Sequence, residues 1–376
     1  MKDQGMKGVQ QTNFAETFRL FYQFDRVSKQ TVVDNLGHSL PTVTGNLKKL
    51  LERELIVTDG EFMTQKTGRP AQAYTLNRAA FTSLGMAIFG DHITLVNLDS
   101  RGEIANEQRI TITFANTAQY YKKVMQYVAD FIAHFNLDEH RILGLGIGIQ
   151  GLISDDRRYI VYSEILEMTN LTVDTFQQYV SFPVIFIHDA DAVALAEQYV
   201  SKREEDAIYL SIGEHLGTAM MVNGQIYNGS HGRSGTMEHI TLAMENGRQC
   251  YCGRRGCIET YLSVHALLHD RNESLAEFFE LVNQDDEQAV QRWFSYLEHM
   301  AAAIVNLHMF VDSPIILAGE LASYLTTYTI SEIEKRIAKI NVFPEESHYV
   351  ELGQRYVHPV AVGAALPLMQ LFIEGI

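Results

Sequence analysis

The run His239-Ile-Thr-Leu-Ala-Met-Glu-Asn-Gly-Arg-Gln-Cys250-Tyr-Cys252-Gly-Arg-Arg-Gly-Cys257 holds every cysteine of a 376-residue chain. Three thiolates and one imidazole form the N/S donor set that tetrahedral zinc takes, without redox chemistry. Gly253 and Gly256 allow the tight backbone that returns Cys257 toward Cys250 and Cys252. The competing reading is a set of buried free thiols beside an unrelated histidine, and the crowding of the cysteines weighs against it. His239, Cys250, Cys252 and Cys257 complete a four-coordinate sphere, so the expected Zn(2+) is structural rather than catalytic.

Cysteines confined to one cluster suit a reducing compartment better than a disulfide framework, and a cytoplasmic location is expected. No stretch approaches the roughly 18 apolar residues of a membrane span. The opening MKDQGMKGVQQTNF lacks the apolar segment of a secretory signal. A net charge of −16 argues at first against nucleic acid. Its distribution alters that reading. Residues 1–80 carry 11 Lys/Arg against 8 Asp/Glu, about +3, which leaves about −19 for the remainder. An acidic body with a mildly basic end fits one localised DNA-contacting surface.

That end reads as three helices and a wing. Phe14, Phe18, Phe21 and Tyr22 recur at helical spacing. Ser28 caps a second helix that stops at Gly37, and Ser39 caps a third with Pro41 in its first turn. The third helix has an apolar side of Val43, Leu47, Leu50 and Leu51. Strands are expected at Leu55–Thr58 and Ala73–Leu76, around a polar loop from Asp59 to Gln72. This describes a winged helix-turn-helix over residues 1–78; a small helical dimerisation module is the alternative. Thr42, Thr44 and Asn46 are expected to read bases, while Lys48, Lys49 and the wing residues Lys66 and Arg69 hold phosphates. Gln72–Ser83 is the candidate hinge to the larger C-terminal part.

From residue 79 to 376 the texture is α/β. Strands are expected at Ile93–Leu98, Ile142–Ile149, Val184–Ile187, Ala207–Ile212, Ala219–Val222 and Ile315–Leu317. Helices are expected at Thr117–Phe135, Ala190–Val200, Leu275–Val282 and Gln291–Phe310. No tandem repeat is visible.

Cys250 through Glu259, preceded by Gly232-Arg-Ser-Gly235-Thr-Met-Glu-His239, resembles the zinc signature of the ROK family of repressors and sugar kinases. Further matching pieces occur in the family's order: Gly144 to Gly151, His188 to Glu197, Ser211 to Gly213, Asp312 to Glu320, and Val362-Gly-Ala-Ala. Thr67-Gly-Arg-Pro70 also resembles the wing of the repressor branch. The resemblance implies two actin-like (ribonuclease H-like) lobes around a sugar cleft. It also implies effector contacts from Gly151, His188, Asp189, His239 and Glu259.

The same resemblance exposes departures. Where family kinases carry a phosphate-binding Asp-x-Gly-Gly-Thr, this chain has Ala87 and Phe89. Glu214 enters the second phosphate turn, and Ala318 replaces a glycine of a late nucleotide motif. His188 stands for an asparagine, and Thr236 for a glutamate that grips sugar hydroxyls. Asp189, the family's general base, is read three ways: a vestigial base beside sugar, a hydroxyl acceptor, or a helix cap. The expectation is a DNA-binding transcriptional regulator without enzyme activity, repressing carbohydrate genes in response to a sugar or phosphosugar. Its expected partners are operator DNA, that effector and further copies of itself in a homodimer or homotetramer, with no membrane partner. The alternatives are an active sugar kinase with an appended DNA-binding domain, or a regulator governed by a protein partner.

Overall fold

A computed structural model describes residues 2–62, 70–268, 273–341, 343, 348–354 and 357–376. Three helices open the chain: α1 (Lys2–Gln23), α2 (Lys29–Leu36) and α3 (Leu40–Glu52). A capping box between Ser28 and Thr31 starts α2, and Gly37, left-handed at φ 67°, ends it. The Ser39 hydroxyl accepts from the Thr42 N–H to start α3. Val43, Leu47 and Leu50 of α3 are buried with Phe14, Phe18 and Phe21 of α1, while Leu51 packs at the edge. Strands β1 (Ile56–Phe62) and β2 (Ala71–Leu76) pair antiparallel with Ile56 opposite Leu76. They run further into the expected loop than their apolar residues signalled, because backbone pairing of Glu61 and Phe62 with Gln72 and Ala71 continues past the last buried side chain. Lys66 and Arg69 lie outside the described residues.

The first lobe contains β3 (Thr82–Ile88), β4 (His92–Leu98), β5 (Ile104–Thr111), α4 (Ala118–His134) and β6 (Ile142–Ile149). A small sheet of β7 (Leu152–Ile153), β8 (Tyr159–Ser163) and β9 (Met168–Thr172) comes next. After α5 (Asp174–Gln177) come β10 (Val184–His188) and α6 (Asp189–Ser201). The second lobe contains β11 (Ala207–Ile212), β12 (Leu216–Val222), β13 (Gln225–Ile226), α7 (Glu259–Leu262), α8 (Val264–Leu268), α9 (Leu275–Asn283) and α10 (Glu287–Phe310). It closes with β14 (Ile315–Ala318), α11 (Thr327–Ile340), β15 (Val350–Leu352) and α12 (Pro359–Gly375).

Each lobe carries a five-stranded sheet, ordered β10-β6-β3-β4-β5 and β13-β12-β11-β14-β15. In both, three successive strands pair antiparallel and two later ones add in parallel beside the first. The lobes therefore repeat one another in topology, although no sequence repeat announces it. Helices α6 and α12 pack against each other between the sheets. Their approach needs glycine: a Cβ on Gly363 would lie 1.7 Å from the Ala192 carbonyl oxygen.

The passage read as a hinge is not free to act as one. Gln72–Leu76 belongs to β2 and Thr82–Ser83 to β3. Between them Phe81 is 3% exposed and packs on Phe372 at 4.5 Å between ring centroids. Burying that ring ties the connection to α12. Polar contacts add to it: the Tyr22 hydroxyl donates to the Ser100 carbonyl at 2.9 Å, Arg101 pairs with Asp25, and Arg141 pairs with Glu54 at 2.8 Å.

Candidate metal centre and ligand cleft

The residues between β13 and α7 fold as a loop held by isolated bridges Thr241–Cys257 and Gln249–Arg255. Gly256, at φ 78°, passes so close to Ala243 that a Cβ would lie 1.8 Å from its carbonyl oxygen. This geometry gathers the four predicted donors, with one ligand atom of each of His239, Cys250, Cys252 and Cys257 within 4.8 Å of the others. The His239 Nδ1 to Cys250 Sγ and Cys252 Sγ to Cys257 Sγ distances are both 3.7 Å. A tetrahedral ion with bonds of about 2.3 Å to sulfur sets its ligands about 3.8 Å apart, so the cluster fits a metal ion. Burial pushes the Cys250 and Cys257 thiols up, a cost that a bound cation reverses by stabilising thiolate.

Beside the metal loop lies a cavity of about 300 Å³, in the range of small-molecule sites. Gly151, His188, Asp189 and His239, four of the residues expected to contact an effector, line it. Glu259 does not. It is 3% exposed, its carboxylate pairs with His215 Nδ1 at 2.9 Å and accepts from the Leu216 N–H at 2.6 Å. Its expected role as an effector contact is therefore corrected to that of a buried brace for the Gly213–Leu216 turn. Burial alone would lower the His215 imidazole, but the Glu259 hydrogen bond and charge push it up.

Asp189 opens α6, where its Oδ1 accepts from the Ala190 N–H at 2.9 Å and faces His188 Nε2 at 3.2 Å. The other His188 nitrogen faces Asp191 at 3.8 Å. Burial would lower this imidazole, yet Asp191, Asp189 and Glu238 together push it up to about 9. Sequence reasoning missed Glu238 and Tyr251, which also line the cavity. Tyr251 meets the His215 and His239 rings edge-on, each at 5.2 Å. Burial pushes the Glu238 carboxyl up to about 7, against the Thr218 hydrogen bond and the His188 charge. The signal for Glu238 was the one acidic residue between Glu214 and Glu245, set directly before the cluster's histidine.

On the far side of the cleft, Ala87 is buried in β3 and Phe89 stacks on His92 at 4.6 Å. Glu214 is exposed at the turn before β12. Burial and then the Glu214 charge push the Glu320 carboxyl up. Glu214 thus adds negative charge at this turn, close enough for Glu320 to feel it, with Arg109 partly opposing.

On α3, Thr44, Lys48 and Lys49 are exposed and Thr42 is partly exposed. Asn46 points the other way. It is 6% exposed, and its amide donates to the Asn13 carbonyl and the Thr17 hydroxyl, both at 3.0 Å. The base-reading role expected of Asn46 is corrected to tying α3 to α1. Leu40, at 55% exposed, stands instead at the start of the open face.

The sequence model of the ROK family matches residues 83–366. The chain is 25% identical to the xylose repressor of Bacillus spizizenii, over 91% of this chain and 89% of that one. Among solved structures it resembles a ROK family transcriptional regulator described as a homolog of the E. coli MLC protein, with TM-score 0.78, 20% identity, and coverage of 98% and 97%. A ROK family glucokinase from Streptomyces griseus, in complex with glucose and AMPPNP, superposes with TM-score 0.66 and 21% identity. That likeness covers 77% of this chain and 99% of the kinase.

Proposed function

The chain belongs to the ROK family, and on that premise we propose that it is a DNA-binding repressor of carbohydrate genes that binds a sugar-type effector without phosphorylating it. Residues 1–78 would form the DNA-binding domain and residues 79–376 the effector-binding body. The carrying observation is unequal retention across one cleft. Asp189 and His239 face the cavity, whereas Ala87, Phe89 and Glu214 replace what nucleotide phosphates require.

In this reading α3 enters the major groove, with Thr42, Thr44 and Leu40 toward base edges and Lys48 and Lys49 on phosphates. Lys66 and Arg69 would add wing contacts. The metal is zinc, held by His239, Cys250, Cys252 and Cys257; it fixes the His239 ring and with it one wall of the cleft. A sugar bridging the lobes would favour closure and shift the DNA-binding domains of a homodimer or homotetramer out of register with their half-sites. A 100-fold loss of operator affinity requires the effector to favour the closed state by about 2.7 kcal/mol.

One observation favours a second reading, an active kinase: Asp189, the general base by resemblance to the family, lines the cavity. A coupled ATP-turnover assay across hexoses and pentoses separates the two. Turnover that depends on sugar and disappears in Asp189→Asn would replace the repressor-only reading.

A further inference from the structure

Thr236 lines the cavity but spends its hydroxyl hydrogen on the Arg233 carbonyl at 2.8 Å, so toward a ligand it offers a neutral acceptor and no charge. Two residues later in the same loop, Glu238 brings a carboxylate to the cavity wall. Its Oε2 accepts from the Thr218 hydroxyl at 2.7 Å, and its Oε1 lies 3.9 Å from His239 Nε2. With its side chain only 9% exposed, Glu238 is a fixed group. Asp189 lies across the same cavity, with Oδ1 engaged and Oδ2 left for a ligand.

The charges lining this cavity favour acceptors. Glu238, Asp189 and the exposed Glu164 line it; among the described lining residues Arg233 is the one arginine, it is exposed, and there is no lysine. His188 lines the cavity as a cation, but both of its nitrogens face acids, Asp189 and Asp191. A phosphate dianion needs a fork of N–H donors or an ammonium; the one such fork here, Arg233, is exposed, and the enclosed wall presents Asp189 and Glu238 instead. Sugar hydroxyls, by contrast, donate well to carboxylate oxygens.

We infer that Glu238 is the specificity-determining acceptor of the cleft, gripping hydroxyls of an unphosphorylated sugar and rejecting the phosphate ester of the same sugar. This rests on the effector reading above. It is tested by calorimetry on the zinc-replete full chain with D-xylose, and with D-glucose and N-acetyl-D-glucosamine each beside its 6-phosphate ester, which keeps the same pyranose ring. At least one free sugar is expected to bind, with the esters about 30-fold weaker or more. E238Q, which keeps the side-chain volume and an oxygen for Thr218, is expected to lose about 10-fold for the free sugar and to narrow the discrimination. Zinc content and circular dichroism report whether the variant is folded. E238D, which keeps the charge but shortens the reach, is expected to bind the free sugar more weakly while still rejecting the ester. An ester that binds as tightly as its parent sugar overturns the inference, as does wild-type affinity and discrimination in E238Q or E238D. Failure of every sugar and ester to bind would overturn the effector reading itself, a distinguishable result.

Discussion

Asn46 sits on the polar side of α3 by helical spacing, but burial assigns it to the fold. Periodicity gives a residue's angle around its helix; it does not say what packs there, and α1 covers this position through Asn13 and Thr17. Asn46→Ala should therefore destabilise the protein by about 1–3 kcal/mol in urea unfolding, with base preference unchanged. Altered preference with unchanged stability would return Asn46 to the base-reading set. Lys48→Ala should weaken binding to all DNA sequences alike and reduce the salt-dependence slope by about one. The four clustered donors were legible because their identities and spacing are themselves the chemistry of a candidate metal site. Glu259 was not, because the His215 and Leu216 partners that occupy its oxygens come from a turn more than forty residues away. Cys252→Ser should lose zinc by elemental analysis and lower the melting temperature, since binding energy at such a site is folding energy. His188 supplies a pH test. Its folded pKa is raised, by Asp191, Asp189 and Glu238, to about 9, so its contribution is complete below about pH 6.5 and fades as pH rises through about 9. His188→Asn should flatten that part of the stability profile, and an unaltered profile would contradict the assignment.

Among the elements, α6 links the two functional ends. Its 13 residues span about 20 Å from Asp189 in the cleft toward Tyr199. The Tyr199 hydroxyl donates to the Arg101 carbonyl, and Arg101 in turn pairs with Asp25 just beyond α1. Tyr22 of α1 donates to the neighbouring Ser100 carbonyl. Tyr199→Phe removes the first of these bonds and leaves both binding surfaces untouched. Operator binding without sugar should persist, while the loosening of DNA by sugar should shrink about 5- to 10-fold. Unchanged coupling in a melting-competent variant would mean that α6 carries no signal. The start of α6 was legible from its alanine-rich apolar run and the Ala207–Ile212 strand from the apolar stretch Ala207-Ile-Tyr-Leu210. The small β7–β9 sheet was not, because its strands are short, half-exposed and lack clean alternation.

At the scale of the whole molecule, the two lobes share a topology that no residue repeat reveals, since what recurs is strand order and burial. The sequence did mark the chain's division into a mildly basic front and an acidic body, but the covered linker around Phe81 depended on α12, which is nearly three hundred residues distant. Sugar-dependent release of DNA is tested most directly by one titration. DNA selected from fragments of the source genome is held by full-length, zinc-loaded protein, and anisotropy is followed as the sugar that stabilises the protein in a thermal screen is added, with ATP absent. Specific binding is predicted to fall about 100-fold as sugar saturates, in the wild type and not in Asp189→Asn. Equal binding to all fragments, or specific binding indifferent to every sugar that the protein holds, would contradict a sugar-released repressor.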